Sequence, residues 1–224
     1  MSLFRNLMSI SVLALLLILS GCAGFRGGWT SLAYVGDTPP QFDEVPTSGW
    51  VMMRSELKLP GLKLGVSINN QLRTYDNQVY FFVLPLVIDP RNVYQLEGKE
   101  GVTRVSLRIV PTHPGYIFEP QRARLSVNGK TVQSTAAYEF GRWDANGEPK
   151  LAGTDYSHKP VTQVLSLSEL NDKAYQLTLE FPIERVSPEG AAISLDLSDA
   201  LRNNAQPAIP LIRFHPVRWK EGYT

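Results

Sequence analysis

The sequence predicts an all-β protein, specifically an antiparallel β-sandwich of immunoglobulin-like type with short helical turns only. Apolar and polar residues alternate with a period of two over several short segments, which is typical of strands that bury one face. Glycines and prolines, 17 and 16 in the 224-residue chain, recur between these segments, as in sandwiches built from many short strands. No long stretch has helical periodicity. The single cysteine excludes the disulfide of antibody domains, so the immunoglobulin-like assignment depends on the strand pattern alone.

Residues 22–49 are rich in glycine and proline, and we expect a tether there without regular structure. Strands are predicted over residues 50–58 and 62–68. Residues 79–88, VYFFVLPLVI, are apolar on both faces but too short to span a bilayer, which predicts a central buried strand. Because proline cannot donate a ladder hydrogen bond, we expect a bulge or a break at Pro85.

The remaining strands carry the clearest alternation. Val105, Leu107 and Ile109 share one face of a predicted strand. Asn128-Gly129 favours a type I′ hairpin turn, because both residues accept positive φ values. Further strands are predicted over residues 115–119, 122–127, 161–167, 175–181, 191–197 and 208–215. Short helical turns are predicted over residues 168–170 and 198–202.

These strands are expected to form one domain over residues 50–224. Residues 140–159, FGRWDANGEPKLAGTDYSHK, contain many Gly, Asp and Asn residues. They form either one long loop or a hinge between two smaller β-domains. We favour the loop, because the strands on either side are too few for two stable units, and small domains bury proportionally less surface.

The start of the chain has the layout of a secretory signal peptide. Arg5 is the only charged residue among the first 21 and precedes an apolar run from Leu7 to Leu19. The run is followed by the small residues Ser20 and Gly21, and it is shorter than the roughly 20 apolar residues of a membrane-spanning helix. These features predict a signal peptide over residues 1–21.

The sequence Leu19-Ser20-Gly21-Cys22 resembles the lipobox of bacterial lipoproteins. The resemblance implies that the thiol of Cys22 receives a diacylglyceryl group and that a signal peptidase cleaves between Gly21 and Cys22. The new amine of Cys22 then takes a further acyl chain such as palmitate. In these lipoproteins Asp after the cysteine favours retention at the inner membrane. Ala23 carries no such signal, so in a host with two membranes the resemblance implies a lipid anchor in the outer membrane with the domain facing the periplasm. Lipidation also accounts for an unpaired cysteine in an exported chain.

Charge argues against a nucleic-acid partner. The chain has 22 basic and 21 acidic residues, and removal of Arg5 with the signal peptide balances the two. Nucleic acids are bound mainly through clustered Lys and Arg. We therefore expect the membrane, through lipid on Cys22, and an envelope protein as partners.

No motif predicts a cofactor or a catalytic centre. His113, His158 and His215 lack the spacing of a helical zinc site. The chain has no GxSxG nucleophile elbow and no glycine-rich nucleotide loop. Turn or surface positions are therefore the favoured interpretation for the three histidines.

One short segment offers weak candidates for calcium binding. Asp144, Asn146 and Glu148 alternate as oxygen donors, but Pro149 occupies the position of the glycine in an EF-hand loop. Because Asp, Asn and Gly are also the usual turn residues, a turn is favoured over a calcium site.

Aromatic residues around the long loop are the candidate binding residues: Tyr138, Phe140, Trp143 and Tyr156. Exposed aromatic rings in a polar loop bind partners or stack on sugars. The alternative is that they cap one end of the sandwich core, where most large aromatic residues are found.

The function predicted from these features is a lipid-anchored, non-catalytic binding or assembly module that presents a β-sandwich at the membrane surface. Two alternatives belong to other classes. One is a cell-wall glycan or peptide hydrolase built from loop carboxylates and histidines. The other is a carrier with an apolar cavity between its sheets.

Overall fold

The computed structural model describes residues 23–41, 44–45, 55–79, 87–88, 94–95, 100–141, 156–167 and 174–223. Within these ranges the chain forms 18 β-strands, and the only helix there is a 3₁₀ turn over Pro120–Arg122. The predicted all-β class is confirmed. None of the described segments forms a helix with the length and apolarity needed to cross a membrane.

The largest sheet of the described residues has nine strands. They are β1 (Ala23–Val35), β2 (Glu44–Val45), β5 (Leu72–Val79), β6 (Val87–Ile88), β7 (Tyr94–Gln95), β10 (Arg124–Val127), β11 (Lys130–Gln133), β16 (Ile193–Asp196) and β18 (Ile212–Tyr223). Seven of them follow the order β11-β10-β16-β18-β1-β5-β6, while β2 pairs with β18 and β7 pairs with β5. The β2–β18 pair is parallel, and the other pairs of this sheet are antiparallel.

A second sheet has six described strands in the order β13-β12-β15-β8-β4-β3. They are β3 (Glu56–Leu59), β4 (Leu62–Ile68), β8 (Thr103–Pro111), β12 (Ala136–Gly141), β13 (Ser157–Pro160) and β15 (Tyr175–Phe181). A smaller sheet joins β14 (Leu165–Leu167), β9 (Tyr116–Phe118) and β17 (Leu201–Arg202).

The core lies between these sheets. Alternate residues of β8 are buried, and Leu107 is 1% exposed. Leu107 belongs to one apolar cluster with Phe214 of the nine-stranded sheet and Phe118 of the small sheet. Burial of each such side chain contributes about 1.5–3 kcal/mol. The predicted β-sandwich is therefore confirmed. Its immunoglobulin-like form is not confirmed, because that fold has seven to nine strands in all.

Several predicted elements have the observed bounds or nearly so. β4 and β15 occupy the predicted residues 62–68 and 175–181. Asn128 and Gly129 have φ values of 50° and 83° between β10 and β11, as a type I′ turn requires. The last predicted strand continues beyond residue 215 to Tyr223.

The prediction of an irregular tether over residues 22–49 is wrong for residues 23–35, which form β1 between β18 and β5. Its glycines permit close strand approach instead of interrupting the strand. A Cβ atom on Gly28 would lie 1.9 Å from the carbonyl oxygen of Leu72. The register with β5 shifts between Gly27 and Gly28, which marks a bulge there.

Two other predictions need qualification. Of the predicted strand over 79–88, Val79 ends β5 and Val87–Ile88 form β6, while residues 80–86, including Pro85, lie outside the described residues. The turn predicted over 198–202 ends earlier, because Leu201 and Arg202 pair with β9. The turn predicted over 168–170 lies outside the described residues.

Candidate functional site: a groove on the six-stranded sheet

The outer face of the six-stranded sheet contains a cavity of about 430 Å³, which we call the groove. Strands β8, β12, β13 and β15 contribute to it, and so does Asn69, which directly follows β4. Its lining residues are Asn69, Arg104, Ser106, Tyr138, His158, Thr178 and Glu180.

The register of the strands determines which side chains form the floor of the groove. Tyr138 lies opposite Thr178, and Thr178 lies opposite Ser106 on the next strand. Their neighbours Ala137 and Leu177 are buried in the core, and successive side chains of a strand point to opposite faces. The two hydroxyl groups and the phenol ring therefore face away from the core.

An ion pair forms one wall. Nε and Nη2 of Arg104 donate to Oε1 of Glu180 at 2.8 and 2.7 Å. The backbone N–H of Arg104 donates to Oδ1 of Asn69 at 2.7 Å, and the N–H of Asn69 donates to the carbonyl oxygen of Arg104 at 3.0 Å. The side chain of Arg104 remains 42% exposed, compared with 11% for Glu180. The wall is thus held in place while its cation stays accessible to a ligand.

A pair of stacked aromatic rings lies next to His158, one of the lining residues of the groove. The rings of Phe140 and Tyr156 are stacked, with centroids 5.3 Å apart and an interplanar angle of 6°. The ring of His158, which lies opposite Phe140 in the β12–β13 ladder, is 5.1 Å from it and tilted by 48°. Phe140 and Tyr156 are 36% and 55% exposed, so neither ring caps the core.

The predicted binding residues therefore come together in part. Tyr138 lines the groove, and Phe140 and Tyr156 stack next to its lining residue His158. Trp143 lies outside the described residues, as does the rest of the loop between Gly141 and Tyr156. The strands at the two ends of this loop, β12 and β13, pair in one sheet, which is what the loop interpretation requires.

One carboxyl group lies on the other face of β12, opposite these rings. Glu139 alternates with Tyr138 and Phe140 along β12 and lies opposite Lys159. Burial raises the pKa of Glu139, and the nearby Lys159 cation opposes that rise. The fold therefore disfavours the ionised carboxylate at this position.

The histidines lie in three separate places. His158 borders the groove, His113 follows β8 with its Nδ1 3.4 Å from Oγ1 of Thr112, and the ring of His215 contacts that of Tyr34 edge-on. No three His, Cys, Asp or Glu residues within the described ranges are grouped so as to hold a metal ion.

The remaining site predictions lie outside the described residues. They concern the calcium candidates Asp144, Asn146 and Glu148, and the cleavage and lipidation positions Gly21 and Cys22. They stay predictions.

A second cavity, of about 350 Å³, lies on the nine-stranded sheet. Its lining includes Trp29, Glu44, Tyr75, Arg218 and Trp219. The guanidinium carbon of Arg218 lies 5.1 Å from the centroid of the Trp29 ring, a cation–π distance. Burial, followed by the negative charge of Glu44, raises the pKa of Tyr75. This cavity was not predicted, because it depends on β1 being a strand.

The groove offers hydrogen-bond donors and acceptors beside flat aromatic surfaces. Arg104 and Asn69 donate to carbonyl or hydroxyl oxygens, whereas Ser106, Tyr138 and Thr178 both donate and accept. This chemistry suits an extended polar chain that hydrogen-bonds to the sheet face and packs against the rings. Sequence reasoning missed Asn69, Arg104, Ser106, Thr178 and Glu180. The polar rows of β8 and β15 indicate their outward direction but not their register.

No protein-family model matches the chain, and no curated protein matches it. Among solved structures, the chain is similar to an uncharacterized β-sandwich protein from Clostridium difficile 630. The identity is 10%, the match covers 85% of this chain and 100% of that one, and the TM-score is 0.31. A TM-score this low carries no argument about function. The assignment of this chain to the β-sandwiches therefore depends on its own sheets and core.

Proposed function

We propose that this protein is a lipid-anchored, non-catalytic binding module of the bacterial envelope, and that its groove binds an extended segment of an envelope protein. The observation that supports the proposal most directly is a groove lined by the Arg104–Glu180 pair and by His158, whose ring contacts the Phe140–Tyr156 stack.

The edge of the six-stranded sheet supports the choice of a protein as the partner. Strand β13 ends the six-stranded order among the described residues, and all four of its residues are exposed. An extended peptide can add to such an edge through backbone hydrogen bonds, while its side chains enter neighbouring pockets. Because His158 belongs to β13 and lines the groove, a peptide at this edge would lie beside the groove.

The membrane anchor is supported by the lipobox resemblance at Cys22. A single acyl chain holds a protein to a bilayer only marginally, whereas two or three chains make attachment stable. Mass analysis of the purified native protein is expected to find a diacylglyceryl group on Cys22. An intact, unacylated N-terminus, or unchanged membrane fractionation after Cys22→Ser, would contradict the anchor.

The groove is tested by crosslinking in intact cells, followed by mass spectrometry of the captured proteins. Thr178→Arg places a long cation on the groove floor, and we expect at least a tenfold loss of the crosslinked partner. Gln176→Arg is the matched control, because it adds the same charge two residues away on β15, at an exposed position outside the groove lining. Equal partner yields from wild type, Thr178→Arg and Gln176→Arg would refute the groove as the binding site.

A further inference from the structure

The second cavity, which we now call the Trp29 pocket, shares no lining residue with the groove. Trp29 lies opposite Arg218 in the β1–β18 ladder, and Ala33 lies opposite Phe214 further along the same ladder. Ala33 and Phe214 belong to the main apolar core. Because every second side chain of a strand lies on the same face, Trp29 and Arg218 are on the core-facing side of the nine-stranded sheet. Trp29 is half-buried and Arg218 is exposed, so the core does not cover this part of the face.

Glycines in β1 make room for the pocket. Gly28 is one of its lining residues. A Cβ atom on the neighbouring Gly27 would lie 2.5 Å from Oη of Tyr75, so the phenol occupies the space that a side chain at Gly27 would fill. Thr74 donates through Oγ1 to the carbonyl oxygen of Gly27 at 3.4 Å. Two hydroxyl groups from β5 are thereby placed beside the backbone of β1.

The lining of the pocket contains one cation and one anion. The guanidinium of Arg218 lies over the Trp29 ring, and Glu44 lies opposite Arg218 in the β2–β18 pair. In the part of the chain that the structure describes, neither the guanidinium of Arg218 nor the carboxylate of Glu44 has a hydrogen-bond or ion-pair partner. Burial, followed by the charge of Glu44, raises the pKa of Tyr75, so the phenol keeps its proton at neutral pH. All three side chains are therefore available to hydrogen-bond to a ligand.

We propose that the Trp29 pocket binds a saccharide. Sugar hydroxyl groups both donate and accept hydrogen bonds, so one ligand can donate to Glu44 and accept from Arg218 and Tyr75. The Trp29 ring adds an apolar surface for the C–H groups of a sugar ring. The volume of about 350 Å³ lies at the small end of the range of about 300–1,000 Å³ for ligand pockets.

Other classes of ligand fit the pocket less well. The charges of Arg218 and Glu44 balance, so the lining carries no net charge that would favour an anion or a cation. A purely apolar ligand would displace water from both charged groups without replacing its hydrogen bonds, which is costly. Because the pocket and the groove lie on different sheets, a saccharide and a protein segment can be bound at the same time.

The test is calorimetric titration of the full-length protein, purified in a detergent without a sugar headgroup. The probes are maltose, cellobiose and N,N′-diacetylchitobiose. Trp29→Leu removes the aromatic surface. Glu44→Gln, at an exposed position, preserves the size of the side chain and provides a second variant if Trp29→Leu folds poorly. Glu189→Gln is the matched control, because Glu189 is an exposed carboxylate outside the pocket lining.

We expect at least one disaccharide to bind with a stoichiometry of one. Trp29→Leu should weaken that binding by about tenfold or more and Glu44→Gln by several-fold, whereas Glu189→Gln should leave it unchanged. Failure of all three disaccharides to bind at millimolar concentration would refute the proposal, as would equal affinities in wild type and both pocket variants. Saturable binding of inorganic phosphate in place of any disaccharide would also refute it, because the pocket would then be an anion site.

A groove variant separates this inference from the proposed function. Thr178→Arg alters the groove and leaves the lining of the Trp29 pocket unchanged. We expect Thr178→Arg to lose the crosslinked protein partner and to keep the wild-type affinity for the disaccharide. Loss of disaccharide binding in Thr178→Arg would refute the Trp29 pocket as the saccharide site, whereas an unchanged partner yield would refute only the groove.

Discussion

Substitution of Gly28 by alanine tests whether β1 is a strand of the folded domain. The glycine lies at the bulge where β1 meets β5. A Cβ atom there would lie 1.9 Å from the carbonyl oxygen of Leu72 and 2.9 Å from Cα of Arg73. Both atoms belong to the backbone, so rotation of a side chain cannot relieve the overlap.

The cost can be estimated from this geometry. Restoring a contact of 3.4 Å requires β1 and β5 to separate by about 1.5 Å, which stretches a ladder hydrogen bond of about 2.9 Å beyond any useful length. Loss of one or two such bonds costs about 0.5–1.5 kcal/mol each, and overpacking adds about 1–3 kcal/mol. We expect Gly28→Ala to lower the free energy of unfolding by about 3 kcal/mol, or the melting temperature by about 6–12 °C for a chain of this size.

Thermal and urea unfolding of the purified domain measure this effect, with Gly65→Ala as the matched control. A Cβ atom on Gly65 meets the Cβ atom of Arg108 at 3.3 Å, a contact that small shifts can relieve. We expect Gly65→Ala to change stability by less than about 1 kcal/mol. If Gly28→Ala unfolds at the same midpoint as wild type, the pairing of β1 with β5 at this bulge is refuted.

Three further predictions concern stability. Burial raises the pKa of Asp196, but hydrogen bonds from Ser198 and Arg124 outweigh burial and hold that pKa below its usual value. The ionised carboxylate therefore stabilises the fold above the unfolded pKa of about 4, and this stability is lost as the pH falls through the folded pKa. Asp196→Asn should lower stability at pH 7 and flatten its decline in acid, and parallel pH profiles in urea unfolding would contradict this. Burial raises the pKa of Glu139. The protonated carboxyl group of Glu139 therefore contributes stability below the unfolded pKa, and this contribution is lost as the pH rises through the folded pKa. Glu139→Gln should raise the melting temperature at pH 7 but not near pH 3, and a gain of equal size at both pH values would argue against the assignment. Leu177→Ala removes a side chain that is 1% exposed and should cost about 2–5 kcal/mol in urea unfolding, so a loss below about 1 kcal/mol would contradict its place in the core.

The sequence was sufficient to predict a strand where apolar and polar residues alternate within that strand. β8 alternates buried and half-buried residues along its whole length, and this alternation is visible in the sequence. β1 has no such signal in its first residues, because Gly24, Gly27 and Gly28 lack side chains. Its strand conformation comes from pairing with β18 and β5, whose residues are distant in sequence.

The same difference between local pattern and long-range strand pairing decides which parts of the candidate site were predictable from the sequence. Tyr138, Phe140 and Tyr156 border one loop, so their proximity was predictable from sequence. The ion pair between Arg104 and Glu180 joins residues 76 positions apart. Its formation depends on the register of β8 with β15, and the hydrophobic pattern gives the face of each strand but not that register.

Because residues 23–35 form a paired strand, the proposed anchor would lie at a fixed distance from the groove. Nδ2 of Asn70 donates to Oγ of Ser31 in β1 at 3.0 Å, and the neighbouring Asn69 lines the groove. Ser31 follows Ala23 by eight strand residues, or about 26 Å at 3.3 Å per residue. The groove therefore begins on the order of 25 Å along β1 from Ala23, the residue after the proposed lipidation site. A flexible tether would let that distance vary, whereas a paired strand holds it constant. If the anchor is as proposed, the partner must present its extended segment at a defined height above the bilayer, so β1 determines the reach of the domain.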